Sequence, residues 1–270
     1  MKKTSDFPII AIIVCLSIAL FTGCAKIPVV TPDERGAGAA ATEEPDSSGM
    51  GLVVWYPFND TGGEYSGNGN PGASVYDISS ANGRNGDADG AYAFNGVSSY
   101  LRANNNSSMC LSNTDFTINV WVKPSSYGGA NGSVIIGKRG VGPANGWVLS
   151  INNKSNSAAL KPGLVSFIPG STDNYAIDTT ALPLNRWSMI TVMYNNAAQR
   201  CSIYLDGVLN SVTEHITAPA ANTTADIYIG RDNVANTSES YFFNGSIDDL
   251  RVYNRVLTVS EIKKFRFRTD

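Results

Sequence analysis

The sequence predicts an all-β fold: an antiparallel two-sheet sandwich of jelly-roll type, carried by one large domain over residues 51–270. Three observations point there. Short apolar or alternating stretches recur at regular intervals, with turn residues between them. Charged residues make up only 16% of the chain, while Gly, Asn, Ser and Thr are abundant, which suits tight turns between strands. No long amphipathic pattern interrupts the series, so parallel βαβ units are excluded.

The elements follow in order. Leu52–Phe58 opens the domain. Ala91–Phe94 runs into the turn dipeptide Asn95-Gly96 and out through Ser99–Arg102. Phe116–Lys123 alternates cleanly and is closed by Pro124. Ser133–Lys138, Gly146–Ile151 and Leu164–Ile168 come next. Trp187–Tyr194 is long and apolar, and Cys201–Leu205 ends in Asp206-Gly207, a hairpin signal. Asp226–Gly230 and Ser246–Tyr253 complete the strands. Thr258–Phe265 reads as a short helix with Thr258 at its N-cap and Glu261 three residues on, the spacing of a capping box.

The segments before the domain read differently. Residues 1–23 have the layout of an export signal: Lys2 and Lys3, then an apolar run from Phe7 to Phe21. That run is short of the ~20 residues a membrane span needs. Leu20-Phe21-Thr22-Gly23-Cys24 resembles the lipobox of bacterial lipoproteins, which implies Cys24 as a lipidated residue, the membrane reached through that anchor, and an outer-membrane or cell-surface location. Residues 24–50 are rich in Ala, Gly, Pro and acidic residues without period, as a flexible tether is. Two cysteines remain in the domain, Cys110 and Cys201. They read either as a disulfide or as two buried thiols.

A net charge of −3 and the lack of a basic cluster exclude nucleic acid as a partner. Serine elbows, Cys/His zinc clusters and phosphate-cradling glycine loops are absent from the sequence. Glu214 beside His215, the only histidine, reads as solvated surface. Asp87–Gly90 (DADG) echoes part of a calcium loop but reads better as a turn.

The pieces WYPFND, EYSGNGN, AYAFNGVSSYL, DFTINVWVKP, NRWSMITVMYN, IYLDG and FFNGSIDDLRVYNRVLTVSEI resemble, in their order and spacing, laminin-G-like, concanavalin A-like jelly-roll domains. That resemblance covers nearly all of residues 51–265. It implies glycosidases, lectins, carbohydrate-binding modules or adhesive domains, and fold alone does not choose among them. Glucanases of this fold place their carboxylates on one strand in a pattern like E-x-D-x-x-E, which this sequence lacks. The expectation is a non-catalytic surface module that binds a glycan. An extracellular protein ligand is the alternative, and a glycoside hydrolase comes third.

Alternation places Asp248 on the core side with Leu250 and Val252, and Asp249 with Arg251 and Tyr253 on the other. A buried carboxylate needs a hydrogen bond, an ion pair or a metal. The resemblance implies a structural calcium on Asp248, with carbonyls near Phe58, Asn59 and Gly96 and a further ligand in Asp60. The alternative is that Asp248 caps turn N–H groups or pairs with an Arg. Asp249 is expected at the surface, paired with Arg251 or Lys263. For the glycan, Trp121, Tyr204 and Tyr228 lie off the main core face, unless Trp121 and Tyr204 are covered as a second small core. The rim loops 125–147 and 231–243 offer Tyr127, Asn145, Trp147, Arg231, Asp232, Asn233 and Tyr241.

Overall fold

The computed structural model describes residues 49–59, 63–68, 73–129, 132–140, 146–152, 161–170, 174–221, 224–233 and 241–267. The expected export signal, Cys24 and nearly all of the tether lie outside these residues, as do Asp60 and Asn145. Among the described residues, no helix is long and apolar enough to cross a membrane.

The strands are β1 (Leu52–Tyr56), β2 (Ser74–Tyr76), β3 (Ser79–Ala81), β4 (Ala91–Asn95), β5 (Tyr100–Ala103), β6 (Phe116–Pro124), β7 (Ser133–Arg139), β8 (Gly146–Ile151), β9 (Val165–Pro169), β10 (Ala176–Ile177), β11 (Ser188–Asn195), β12 (Arg200–Leu205), β13 (Val208–Thr213), β14 (Ile227–Ile229) and β15 (Asn244–Tyr253). A helix, α1 (Val259–Phe267), follows them. They form two antiparallel sheets. An eight-stranded sheet runs β13-β12-β11-β6-β15-β4-β3, with β1 also paired to β15; a seven-stranded sheet runs β10-β9-β8-β7-β14-β5-β2.

Alternation explains how the sheets meet. Phe116, Ile118, Val120 and Val122 of β6 face inward, as do Ile190, Val192 and Tyr194 of β11; they join Leu101, Ile136, Leu149, Phe167, Ile227 and Ile229 of the other sheet in one core. This is the inner layer of a β-sandwich, where apolar contact area supplies most of the stabilisation. Trp147 lies in this core, fully buried, with its Nε1 donating to the Met109 carbonyl at 2.8 Å.

A second cluster forms on the opposite face of the eight-stranded sheet. Trp121 (β6), Met189 and Met193 (β11), Tyr204 (β12) and Tyr253 (β15) pack there with Leu257 and with Ile262 and Phe265 of α1. The helix begins with the expected capping box: the Glu261 N–H donates to Thr258 Oγ1 at 3.2 Å, and the Thr258 N–H donates to Glu261 Oε2 at 2.7 Å. Its buried residues, Glu261, Ile262 and Phe265, fall at the three- and four-residue spacing of one helical face. Cys110 and Cys201 are buried thiols, not joined in a disulfide, and burial pushes the Cys201 thiol up to about 12.

Candidate functional site

Two places gather polar and aromatic side chains. The first is the paired aspartates of β15. Along one edge β15 changes partner: Asn244–Ile247 pair with β4, and Leu250–Tyr253 with β1. Asp248 and Asp249 fall in the changeover. The register against β6 also slips between Asp248 and Arg251, and Asp249 takes φ +48, a left-handed conformation that Asp tolerates better than most residues. The resulting bulge shifts the alternation by one residue. Asp248 therefore does not share the core face of Leu250 and Val252; it lies opposite Trp121, on the outward side.

Both carboxylates are buried, at 3% and 2% exposure. Arg84, from the loop before β4, bridges them: its Nη1 lies 3.0 Å from Asp248 Oδ1 and its Nη2 lies 3.3 Å from Asp249 Oδ2. The Arg84 backbone N–H donates to Asp248 Oδ2 at 3.0 Å. Asp249 Oδ1 accepts from Trp55 Nε1 and faces Arg251 Nε, each at 2.8 Å. Arg251 in turn lies over the rings of Trp55 and Phe265. Burial pushes the Asp248 carboxyl up to about 6, against the pull of Arg84. Two positive and two negative charges thus close on one another.

This donor set does not fit calcium. The guanidinium of Arg84 and its backbone N–H occupy both Asp248 oxygens, and a cation there would face like charge. Asn59 does border the recess, with Trp55, Pro57, Arg84, Asp248 and Asp249. Gly96 does not: it packs against Asn244, four residues along β15, about 13 Å away at strand rise. Among the described residues, no three His, Cys, Asp or Glu side chains gather as metal ligands. Asp249 pairs with Arg251 as expected, but in the interior and not at the surface.

The second place is the outward face of the seven-stranded sheet at its β2-β5-β14 end. Leu101, Ile227 and Ile229 point into the core, so Tyr100, Arg102 and Tyr228 point away from it. Tyr76 stacks on Tyr100 with centroids 4.3 Å apart, and Tyr100 lies 6.0 Å from Tyr228 and 6.5 Å from Phe242. After β14, Gly230 takes φ +83, and a Cβ there would run into the Phe94 ring at 2.4 Å. This turn carries Arg231 back over the face. Its guanidinium carbon lies 4.8 Å from the Tyr100 ring centre, 5.2 Å from Tyr228 and 5.5 Å from Phe242. Tyr76 is exposed, and Tyr100, Tyr228, Phe242 and Arg231 are half-buried. Arg102 lies beside them, paired with Asp226.

Of the residues expected to meet a ligand, Arg231 and Tyr228 come together here. Trp121 does not join them: it is 8% exposed beneath the α1 cluster, with Arg84 over its ring. Tyr204 is covered by the same cluster. Trp147 is core. Tyr127 packs against the core, and its hydroxyl donates to the Leu182 carbonyl at 2.7 Å. Asp232 is buried against Arg139, and Asn233 donates to the Arg139 carbonyl at 3.1 Å; both brace the turn that carries Arg231. Tyr241 is half-buried at φ +53 and its carbonyl accepts from the Val134 N–H. Glu214 meets Arg200 at 3.9 Å on the surface. Sequence reasoning missed Tyr76, Tyr100 and Phe242. The signal for Tyr100 was present, since it alternates with Leu101 as Tyr228 does with Ile227.

The family model of the concanavalin A-like lectin/glucanases superfamily matches residues 95–263, more than half of the chain. No curated protein matches. Among solved structures, the chain is similar to domain 4 of AbnA, an extracellular arabinanase from Geobacillus stearothermophilus, in complex with arabinotriose. The identity is 18% and the TM-score 0.60, with 80% of this chain and 98% of that one covered. It is also similar to the binding domain of Paraclostridial Mosquitocidal Protein 1 (19%, TM-score 0.57, 81% and 52% covered). A third similarity is to the binding domain of botulinum neurotoxin DC in complex with rat synaptotagmin II (13%, TM-score 0.55, 81% and 52% covered). The chain thus spans about half the length of each toxin structure, and at these identities the likeness shows the fold. The chain belongs to the concanavalin A-like lectin/glucanase superfamily.

Proposed function

We propose that this chain is a non-catalytic carbohydrate-binding module, held at the cell envelope through a lipid on Cys24. The observation that carries the reading is the open surface of Tyr76, Tyr100, Tyr228 and Phe242 around Arg231. Aromatic rings flanked by polar groups suit the two sides of a sugar: an apolar C–H face that stacks and hydroxyls that need hydrogen bonds. The arabinotriose complex supports the reading, because it sets a sugar on a domain of this fold. A protein ligand is the second reading. It is favoured by edge strand β13, where Val208, Leu209 and Val212 are exposed, and by the synaptotagmin complex of a similar domain.

The test is a glycan array probed with the full chain and with Y228A. Capture of a glycan by the first, and weaker capture by the second, is expected. An array without hits, or hits unchanged in Y228A, would defeat the reading. Incorporation of labelled palmitate into the wild-type chain, and its loss in C24A, tests the anchor.

A further inference from the structure

We propose that the open aromatic surface selects a sugar bearing a carboxylate, and that Arg231 reads that carboxylate. The inference rests on the glycan-binding reading and narrows it to one ligand class. Three features lead to it.

Beside Arg231, the described carboxylates Asp226 and Asp232 are taken by other arginines. Arg102 is paired with Asp226. Asp232, the acidic neighbour of Arg231, is committed to Arg139 and accepts from the Asn233 N–H at 2.8 Å. Arg231 itself gives its Nε to the Asp232 carbonyl at 2.9 Å. No carboxylate among the described residues faces its guanidinium.

The guanidinium is also held. Three aromatic rings lie within 5.5 Å of it, and the turn beneath is braced by Asp232 and Asn233. Ring contact displaces water from a guanidinium and fixes its orientation. The ordering cost of binding is thereby reduced in advance.

The shape then selects the anion. A guanidinium keeps its donors in one plane at its edge, a fork that matches the two oxygens of a carboxylate. A sugar seated against this group of rings would bring a carboxylate on its own ring alongside that edge. A neutral sugar offers only hydroxyls there. Uronic acids and sialic acids both carry this group, so the arms of the test separate them.

The test is calorimetric titration of the full chain at low salt with four probes: trigalacturonate, its methyl ester, sialyllactose and lactose. One acid is expected to bind about tenfold or more tightly than its neutral counterpart. R231Q is expected to bring that ratio to about one. R231K should fall between, because the charge remains and the fork is lost. Equal affinity for acid and neutral sugar would overturn the inference and leave glycan binding standing, as would an acid preference that survives in R231Q. No binding of any probe, together with an empty array, would overturn both readings.

Discussion

The two outward faces of the sandwich use the same ingredients to opposite ends. On the eight-stranded sheet, Trp55, Trp121, Tyr253, Arg84 and Arg251 meet Asp248 and Asp249. Every charge there has a counter-charge, and α1 seals Trp121 and Tyr253. On the seven-stranded sheet, Tyr76, Tyr100, Tyr228 and Phe242 surround Arg231, and the group remains partly open to water. Aromatic and arginine residues therefore do not mark a binding face by themselves. What separates the faces is that, among the described residues, only the first has its cover and its counter-charges supplied by the chain.

Substitutions on either face put this contrast to the test. The largest effects belong to the sealed face. W121A should lower stability by about 3–5 kcal/mol through the cavity it leaves while glycan affinity stays unchanged; urea unfolding and titration check the two halves separately. D249N keeps the shape and tolerates the positive φ of the bulge, but it removes the carboxylate charge that faces Arg251 and Arg84. A loss of about 3 kcal/mol is expected, and a loss below about 1 kcal/mol would show that the network is not closed as described.

The next effect concerns pH. Burial pushes Asp248 up to about 6, and it pushes Asp178 up to about 7 against one N–H bond from Val165. Asp178 Oδ2 is buried with no hydrogen-bond partner among the described residues. Both folded-state values lie above the ordinary 3.8, so between about pH 4 and 7 the folded chain holds protons that the unfolded chain has lost. The contribution of these two groups to stability is complete below that interval and declines as pH rises through it. One such group sets a slope on the order of 1.4 kcal/mol per pH unit. Urea unfolding from pH 4.5 to 8 should show the decline, and D178N should flatten its upper part.

The smallest effects are on ligands. Calcium, compared with EGTA, should leave the melting temperature unchanged, since Arg84 occupies the place a cation would take. A calcium-dependent rise that disappears in D248A would reverse that assignment. Y228A should weaken glycan binding about five- to tenfold, the worth of one aromatic contact, with little loss of stability.

Much of the fold was legible because inward residues of the long strands alternate without interruption, as Phe116, Ile118, Val120 and Val122 do. The helix was legible through Thr258 and Glu261. The strands that escaped, β2, β3, β10 and β13, are edge strands or very short ones; with one neighbour and an exposed face, their sequences need not alternate. The site was harder to see for a definite reason. A single left-handed residue, Asp249, resets the phase of β15 and moves Asp248 to the other face, and alternation cannot anticipate a bulge. Arg84 lies 164 residues from Asp248, so no local pattern joins them. Trp121 and Tyr228 are equivalent by alternation; only the return of α1 over one of them makes the difference.

The most direct test of that difference is to label the aromatic side chains with carbon-13 and titrate the full chain with the strongest glycan from the array. Resonances of Tyr76, Tyr100, Tyr228 and Phe242 are expected to shift, while those of Trp55 and Trp121 stay in place. Shifts confined to Trp55 and Trp121 would contradict the assignment of the open face and return the ligand to the side that α1 covers.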